Sequence, residues 1–80
     1  MKKVQGLPKA FGKVIAELRA KRGLSQEQLA EAIDSTNVYI SLLENGQRKP
    51  SLNATFLIAQ SLAVQPDRLV KDVSDLISSN

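Results

Sequence analysis

Apolar residues recur every three or four positions along almost the whole chain, and no stretch alternates between apolar and polar residues as a strand does. This spacing predicts five helices. Four of them cover roughly residues 9–22, 26–33, 37–44 and 52–63, and a fifth opens at Pro66, a residue favoured in the first turn of a helix. We therefore expect an all-α fold in a single domain, since 80 residues is shorter than the about 100–200 residues of most domains.

Residues that cap helices stand at three of the predicted helix starts. Ser25, with Gln28 three residues later, forms the pattern of a capping box, in which each side chain binds the other residue's backbone N–H. Thr36 can cap the third helix, and either Ser51 or Asn53 can cap the fourth. These side chains define the helix starts more closely than the apolar spacing alone.

The chain has no cysteine and no histidine, which excludes disulfides, thiol nucleophiles and the commonest metal ligands. It also excludes Ser–His and Cys–His catalytic pairs, and the sequence contains neither a phosphate-binding loop nor metal-ligand spacing. We expect a protein that is not an enzyme and uses no cofactor, metal or small-molecule ligand. No apolar run approaches the roughly 18 residues of a membrane span, so we expect no membrane association and a cytoplasmic location.

Charge is distributed unevenly along the chain, although the net charge is only +3. Residues 1–24 contain seven cations and one acid, residues 25–46 four acids and no cation, and residues 47–80 four cations and three acids. The balance of the three segments is therefore +6, −4 and +1. A basic patch suits a polyanion such as nucleic acid, and the alternative is a solvated surface. We expect residues 1–8 to form a flexible basic N-terminus and residues 9–78 to form the domain.

The second and third predicted helices form the pattern of a helix-turn-helix, because both are short and three residues separate them. Such a motif needs a small residue where the two helices pack closely, and Ala30 provides it. Both helices also need apolar anchors, which are Leu29, Ile33, Ile40 and Leu43. The second motif helix starts with the polar residue Asn37, which suits an exposed helix start.

Three stretches of the chain together resemble the phage repressor/Cro (XRE-type) helix-turn-helix family. They are Gly-Leu-Ser-Gln-Glu-Gln-Leu-Ala-Glu-Ala-Ile at residues 23–33, Ile-Ser-Leu-Leu-Glu-Asn-Gly at residues 40–46 and Lys-Pro-Ser-Leu at residues 49–52. The resemblance covers roughly residues 10–70. It implies a compact five-helix repressor-like domain, a homodimer, and insertion of the second motif helix into the major groove of DNA. The chain length and the Tyr-Ile-Ser step also resemble the controller proteins of restriction-modification systems.

Two features depart from the family pattern. Asp34 stands in the turn where relatives commonly have glycine, and we expect the turn to survive because aspartate tolerates a left-handed backbone better than most residues. The second motif helix is unusually apolar and carries no arginine or lysine. The common bidentate contact between arginine and guanine therefore cannot come from this helix.

The resemblance implies that Gln26, the first residue of the first motif helix, reaches DNA. Asn37 can bind adenine through both atoms of its amide group, and Val38 and Leu42 can pack on thymine methyl groups. The predicted base-reading residues are Gln26, Asn37, Val38, Tyr39, Ser41 and Leu42. Each has an alternative: half-buried packing for Tyr39, and an ordinary solvated position for the others.

Phosphate contacts require positive charges and N–H or O–H donors. The predicted phosphate-binding residues are Ser25, Arg22, Thr36, Arg48 and Lys49, with Lys9 and Lys13 at the rim. Arg22 has an alternative as an electrostatic cap of its own helix. The resemblance also implies that Arg19 and Glu44 form a structural ion pair across the motif.

The apolar stripe on the fifth helix can pack on its own domain or on a second copy of the chain. Because a five-residue stripe after four helices exceeds what one small core would cover, the sequence favours a symmetric dimer. The predicted interface consists of Phe56, Leu69, Val70, Val73, Leu76 and Ile77. The sequence thus favours a regulator that binds a pseudo-palindromic site in double-stranded DNA as a homodimer. The alternative is an antitoxin or other protein-interaction module that uses the apolar C-terminal helix.

Overall fold

Residues 1–79 of the computed structural model are described, and over this range the chain folds into five α-helices. These are α1 (Leu7–Lys21), α2 (Gln26–Ala32), α3 (Asn37–Glu44), α4 (Leu52–Ser61) and α5 (Pro66–Ser78). The prediction of an all-α, five-helix fold is confirmed. None of the helices in the described range is long and apolar enough to cross a membrane.

The first helix starts two residues earlier than predicted. Gly6 has a left-handed backbone (φ 75°) that turns the chain into α1, and Pro8 lies in the first turn, where its missing N–H has no helical partner to lose. The first helix therefore begins inside the segment that we expected to precede the domain.

Side-chain caps fix the starts of the three middle helices. The Ser25 hydroxyl accepts from the backbone N–H of Gln28 at 3.0 Å, and the Gln28 side-chain oxygen accepts from the Ser25 N–H at 2.8 Å, which confirms the capping box. Thr36 caps α3 through the N–H of Tyr39 at 3.1 Å. Ser51, and not Asn53, caps α4.

Two residues other than glycine adopt a left-handed backbone in turns. Asp34 does so with φ 54°, as expected for the turn of the motif. Ala63 does so with φ 57°, so α4 ends at Ser61 instead of continuing to residue 63. The turn at Ala63 is supported by the N–H of Val64, which donates to the carbonyl oxygen of Ala59 at 3.0 Å.

The core is built from all five helices. Helix α3 packs against α1 and α2, and α5 packs against α1 and α4. The largest fully buried side chains are Ile15, Leu29, Ile40, Leu43, Ile58, Leu62 and Leu69. Leu69 and Val73 of α5 are thus part of the core of one chain, and the expectation that they belong to a dimer interface was wrong. The first four helices do not complete a core without α5.

The tightest approach between helices is at Gly12 of α1. A methyl group added there would overlap the carbonyl oxygen of Leu43 and lie 2.6 Å from that of Glu44. The backbone of α1 therefore touches the end of α3, and only glycine leaves room for the contact. This contact sets the position of α3 relative to α1.

Candidate nucleic-acid interface

The exposed face of α3 is the candidate binding surface of the helix-turn-helix. Ile40 and Leu43 are fully buried and hold the opposite face of the helix in the core. Asn37 is exposed, Val38 is 68% exposed, and Ser41 is half-buried one turn later. Leu42 and Tyr39 are half-buried at one flank of this surface. The helix therefore presents a mainly uncharged surface with amide, hydroxyl and apolar groups.

Arg19 and Glu44 form a bidentate ion pair behind this surface. Nε of Arg19 lies 2.7 Å from Oε2 of Glu44, and Nη2 lies 3.0 Å from Oε1. A third N–H group of Arg19 donates to the carbonyl oxygen of Leu24 at 2.7 Å. Hydrogen bonding to Glu44 raises the pKa of the Arg19 guanidinium above its ordinary value, and partial burial opposes this effect. The pair joins α1 to the end of α3 and to the loop before α2.

Gln26 is bound to the same carboxylate. Its Nε2 donates to Oε1 of Glu44 at 2.9 Å, and its side chain is half-buried. This bond uses one of the two amide hydrogens of Gln26, so the second hydrogen and the carbonyl oxygen remain as its other hydrogen-bonding groups. This contact was not predictable from the sequence, since residues 26 and 44 are linked only by the fold.

Arg48, in the loop after α3, supplies a cation that α3 itself lacks. The guanidinium carbon lies 5.6 Å from the centre of the Tyr39 ring, within the range of a cation–π contact. Arg48 is exposed, so its N–H groups remain accessible beside the exposed face of α3. The sequence shows both residues but not the contact between them.

The predicted phosphate-binding residues fall into two groups. Ser25 and Thr36 are exposed at the starts of α2 and α3, and Arg48 and Lys49 are exposed after α3. Arg22 instead lies at the end of α4, where its Nε donates to the carbonyl oxygen of Leu62 at 2.9 Å. Its Nη2 also donates to the carbonyl oxygen of residue 63 at 3.3 Å. Arg22 is exposed and these two bonds tie its guanidinium to the end of α4, so its predicted phosphate contact stays a prediction.

The exposed apolar side chains of α4 and α5 form a separate surface. Phe56 is 46% exposed and Val70 is 54% exposed, whereas Leu76 and Ile77 are half-buried against the core. Leu52, which was not among the predicted interface residues, is 73% exposed and lines the same groove as Val70. We call Leu52, Phe56 and Val70 the apolar α4–α5 surface.

Comparison with protein families gives an independent result. A family model described as helix-turn-helix matches residues 15–69, which is more than half of the chain. The chain is 39% identical over 61 residues to the control protein C.BamHI of Bacillus amyloliquefaciens, with 75% of each chain covered. It is 36% identical over 62 residues to the uncharacterized HTH-type transcriptional regulator y4dJ of Sinorhizobium fredii, covering 78% of this chain and 80% of that protein.

Solved structures agree with the family match. The restriction-modification controller protein C.AhdI from Aeromonas hydrophila has a TM-score of 0.75 and 37% identity, covering 78% of this chain and 94% of that chain. The clp gene regulator ClgR from Corynebacterium glutamicum has a TM-score of 0.86 and 24% identity, covering 90% of this chain and 77% of that chain. The likeness to ClgR concerns the fold alone. The resemblance to XRE-type regulators and to controller proteins is confirmed.

Proposed function

Because the chain belongs to the XRE-type helix-turn-helix family of transcriptional regulators, we propose that it binds a pseudo-palindromic operator sequence-specifically as a homodimer. The observation that carries this proposal is the exposed face of α3, on which Asn37 and Val38 stand free while Ile40 and Leu43 anchor the helix in the core. A helix held in this way can enter the major groove without unfolding any other part of the domain.

Base recognition relies on neutral groups in this proposal. The Asn37 amide binds N6 and N7 of adenine, and Val38 and Leu42 pack on thymine methyl groups. Gln26, whose amide nitrogen is held by Glu44, offers its carbonyl oxygen to a donor on a base edge. Tyr39 and Ser41 contribute hydroxyl groups at the edges of the same surface.

Phosphate contacts position the motif on the duplex. Arg48 and Lys49 supply positive charge after α3, and the Ser25 and Thr36 segments add donors at the starts of the two motif helices. These groups act equally on every sequence, because each nucleotide carries the same phosphate. They account for affinity, and the exposed face of α3 accounts for preference among sequences.

Two substitutions separate these roles. Asn37→Ala should weaken binding to the preferred operator by about 1–3 kcal/mol and relax the preference at one base pair per half-site. Arg48→Ala should weaken binding to operator and scrambled duplexes almost equally and make the salt dependence shallower by about 0.9 for each phosphate that is no longer neutralised. The operator is first selected from random duplexes, and both variants are then titrated with salt on operator and scrambled DNA.

Exposed residues outside the motif provide matched controls. Asn53→Ala and Arg68→Ala remove the same side-chain types on α4 and α5 and should leave DNA binding unchanged. Failure of selection to enrich any duplex would contradict the proposed function. An equal loss of affinity on both duplexes for Asn37→Ala would remove this residue from the base-reading set and favour Tyr39.

A further inference from the structure

The large apolar side chains that are exposed on this chain are gathered on one side of the molecule. Among residues 1–79 there are seven of them, and five line a single surface groove: Met1, Val4, Leu7, Leu52 and Val70. A sixth, Phe56, lies one turn along α4 from Leu52. The seventh, Val38, is on the exposed face of α3. Apolar surface concentrated in this way marks a contact with another molecule.

The segment before α1 is joined to that helix by backbone hydrogen bonds. The N–H of Leu7 donates to the carbonyl oxygen of Val4 at 3.3 Å, and the N–H of Ala10 donates to that of Gly6 at 2.9 Å. Gly6 turns the chain between them, with φ 75°. The segment therefore holds its apolar side chains at the groove, together with those of α4 and α5.

The groove is continuous with the apolar α4–α5 surface, because Leu52 and Val70 belong to both. The three side chains of that surface are few for a stable contact between proteins, which takes about 20–30 residues on each side. The groove adds residues 1–8 and the loop at Lys49 and Pro50, and brings the surface nearer to that size. A second copy of the chain is therefore the occupant whose contact the groove would complete.

The charged residues of the groove are all cations. Lys2, Lys3 and Lys49 are among the residues that line it, and none of the lining residues is an aspartate or glutamate. Lysine side chains can cover apolar surface with their methylene groups while their ammonium groups stay in water. The three lysines are therefore compatible with an apolar contact between two copies that leaves the charges at its rim.

We propose that residues 1–7 are part of the self-association surface, and that a second copy of this chain covers Val4 and Leu7 together with Leu52 and Val70. The contact of each protomer then extends from α4 and α5 to the segment before α1 and to the loop at residues 49–50. Dimer formation thereby reaches the chain next to Arg48, the proposed phosphate contact.

This inference rests on the proposed function, and one substitution in the full chain tests it against a matched control. Val4→Ser removes an apolar side chain that is 59% exposed in the groove, and Val38→Ser makes the same change at 68% exposure on α3. The dissociation constant of the dimer should rise about tenfold for Val4→Ser, because the valines of both protomers lose their cover. It should stay unchanged for Val38→Ser. Sedimentation equilibrium without DNA measures both constants.

Operator binding separates this role from a contact with DNA. At protein concentrations well above the dissociation constant of the dimer, Val4→Ser should bind the operator with the affinity and the salt dependence of the wild type, because no charge is lost. A changed salt dependence of the preformed dimer would place residue 4 at the DNA and overturn the inference.

The failures of this inference and of the proposed homodimer give different results. A raised dissociation constant for Val70→Ser with a wild-type constant for Val4→Ser would overturn the inference, keep the dimer and leave residues 1–7 to another occupant, such as an acidic polypeptide. An equal rise for Val38→Ser would also overturn it, because the effect would not belong to the groove. A wild-type chain that is monomeric with and without operator would overturn both.

Discussion

The Glu44 carboxylate connects three parts of the motif through individual hydrogen bonds. It accepts two bonds from Arg19 and one from Gln26, and only 7% of its side chain is exposed. Arg19 adds a bond to the carbonyl oxygen of Leu24. A carboxylate this buried needs its guanidinium partner, since an uncompensated charge in the interior is costly.

Removing either partner should therefore destabilise the fold. Arg19→Ala is expected to lower the free energy of unfolding by about 3 kcal/mol, near the value for breaking a buried pair. Arg19→Lys should recover little of this, because an ammonium group cannot reproduce three bonds in the planar arrangement of a guanidinium. Denaturant unfolding of Arg19→Ala, Glu44→Ala and the double variant measures the coupling energy.

The control for this prediction is Arg68→Ala, which breaks an exposed i, i+4 pair with Asp72 and should change stability by about 0.5 kcal/mol or less. Additive losses of stability in the first series would contradict coupling between Arg19 and Glu44.

Contacts of this kind were only partly accessible from the sequence. Arg19 and Glu44 are 25 residues apart, and family resemblance alone suggested that they meet. The bond from Gln26 to Glu44 and the bonds from Arg22 to the end of α4 have no local signal, because they depend on how the helices pack. The Ser25 capping box, whose partners are three residues apart, was predictable from the residues themselves.

At the scale of helices, the close crossing of α1 and α3 depends on a glycine, which has no Cβ atom to separate the two backbones. Gly12 lies in the middle of α1, a position that lowers helix propensity relative to alanine. The fold tolerates this penalty because the carbonyl groups of Leu43 and Glu44 occupy the space of a methyl group. The end of α3, and with it the exposed face of that helix, is held close to α1 by this contact.

Gly12→Ala should have two opposing effects on the free energy of unfolding. The higher helix propensity of alanine should add about 1 kcal/mol to the free energy of unfolding. The new methyl group would also be forced against backbone carbonyl groups. This should cost more than overpacking against flexible side chains, which costs about 1–3 kcal/mol. We expect a net loss of stability and weaker operator binding. Thermal unfolding and DNA titration measure these two effects. The control is Ala20→Gly in the last turns of α1. It should lose about 1 kcal/mol of stability without affecting DNA binding. An increase in stability for Gly12→Ala would refute the close approach.

Helix positions were predictable from the sequence to within about two residues, because apolar periodicity and caps are local signals. The end of α4 was missed, since Ala63 adopts a left-handed backbone without the glycine that usually marks such a turn. The burial of Leu69 and Val73 of α5 within one chain was also not predicted. The apolar stripe of that helix shows that one face is covered, but the stripe does not reveal whether another helix of the same chain or a second chain covers it.

At the scale of the whole molecule, the apolar α4–α5 surface contains Phe56 and Val70 of the interface expected from the sequence and adds Leu52 to them. Leu52, Phe56 and Val70 are exposed on it, whereas Leu69 is fully buried. A dimer formed through this surface would remove these side chains from water on both protomers.

Val70→Ser should therefore weaken dimerisation while leaving the fold of each protomer intact. Burying a valine is worth about 1.5–3 kcal/mol, so the dissociation constant should rise about tenfold or more. Leu69→Ala should instead destabilise the protomer itself by about 2–5 kcal/mol. Sedimentation equilibrium over a range of concentrations, combined with denaturant unfolding, distinguishes the two effects.

A wild-type chain that stays monomeric at micromolar concentration, with and without operator, would refute the dimer. Copurification of a different polypeptide that occupies the apolar α4–α5 surface would favour the antitoxin alternative. Val70→Ser should then abolish that copurification. Without self-association of the chain, operator binding would show no dependence on dimer formation as the protein concentration changes.

Cations and acids lie on different elements of the molecule, and this separation affects the rate at which the protein and DNA meet. Glu27, Glu31 and Asp34 lie on α2 and in the turn after it, whereas Lys9, Arg48 and Lys49 lie at the start of α1 and after α3. Charges separated in this way give the molecule an electric dipole moment. In the field of a duplex this moment exerts a torque, so a protein approaching by diffusion rotates its positive side toward the DNA before any contact forms. The effect acts over a Debye length, about 10 Å at 0.1 M salt and about 3 Å at 1 M, so added salt slows productive collisions as well as weakening the bound state.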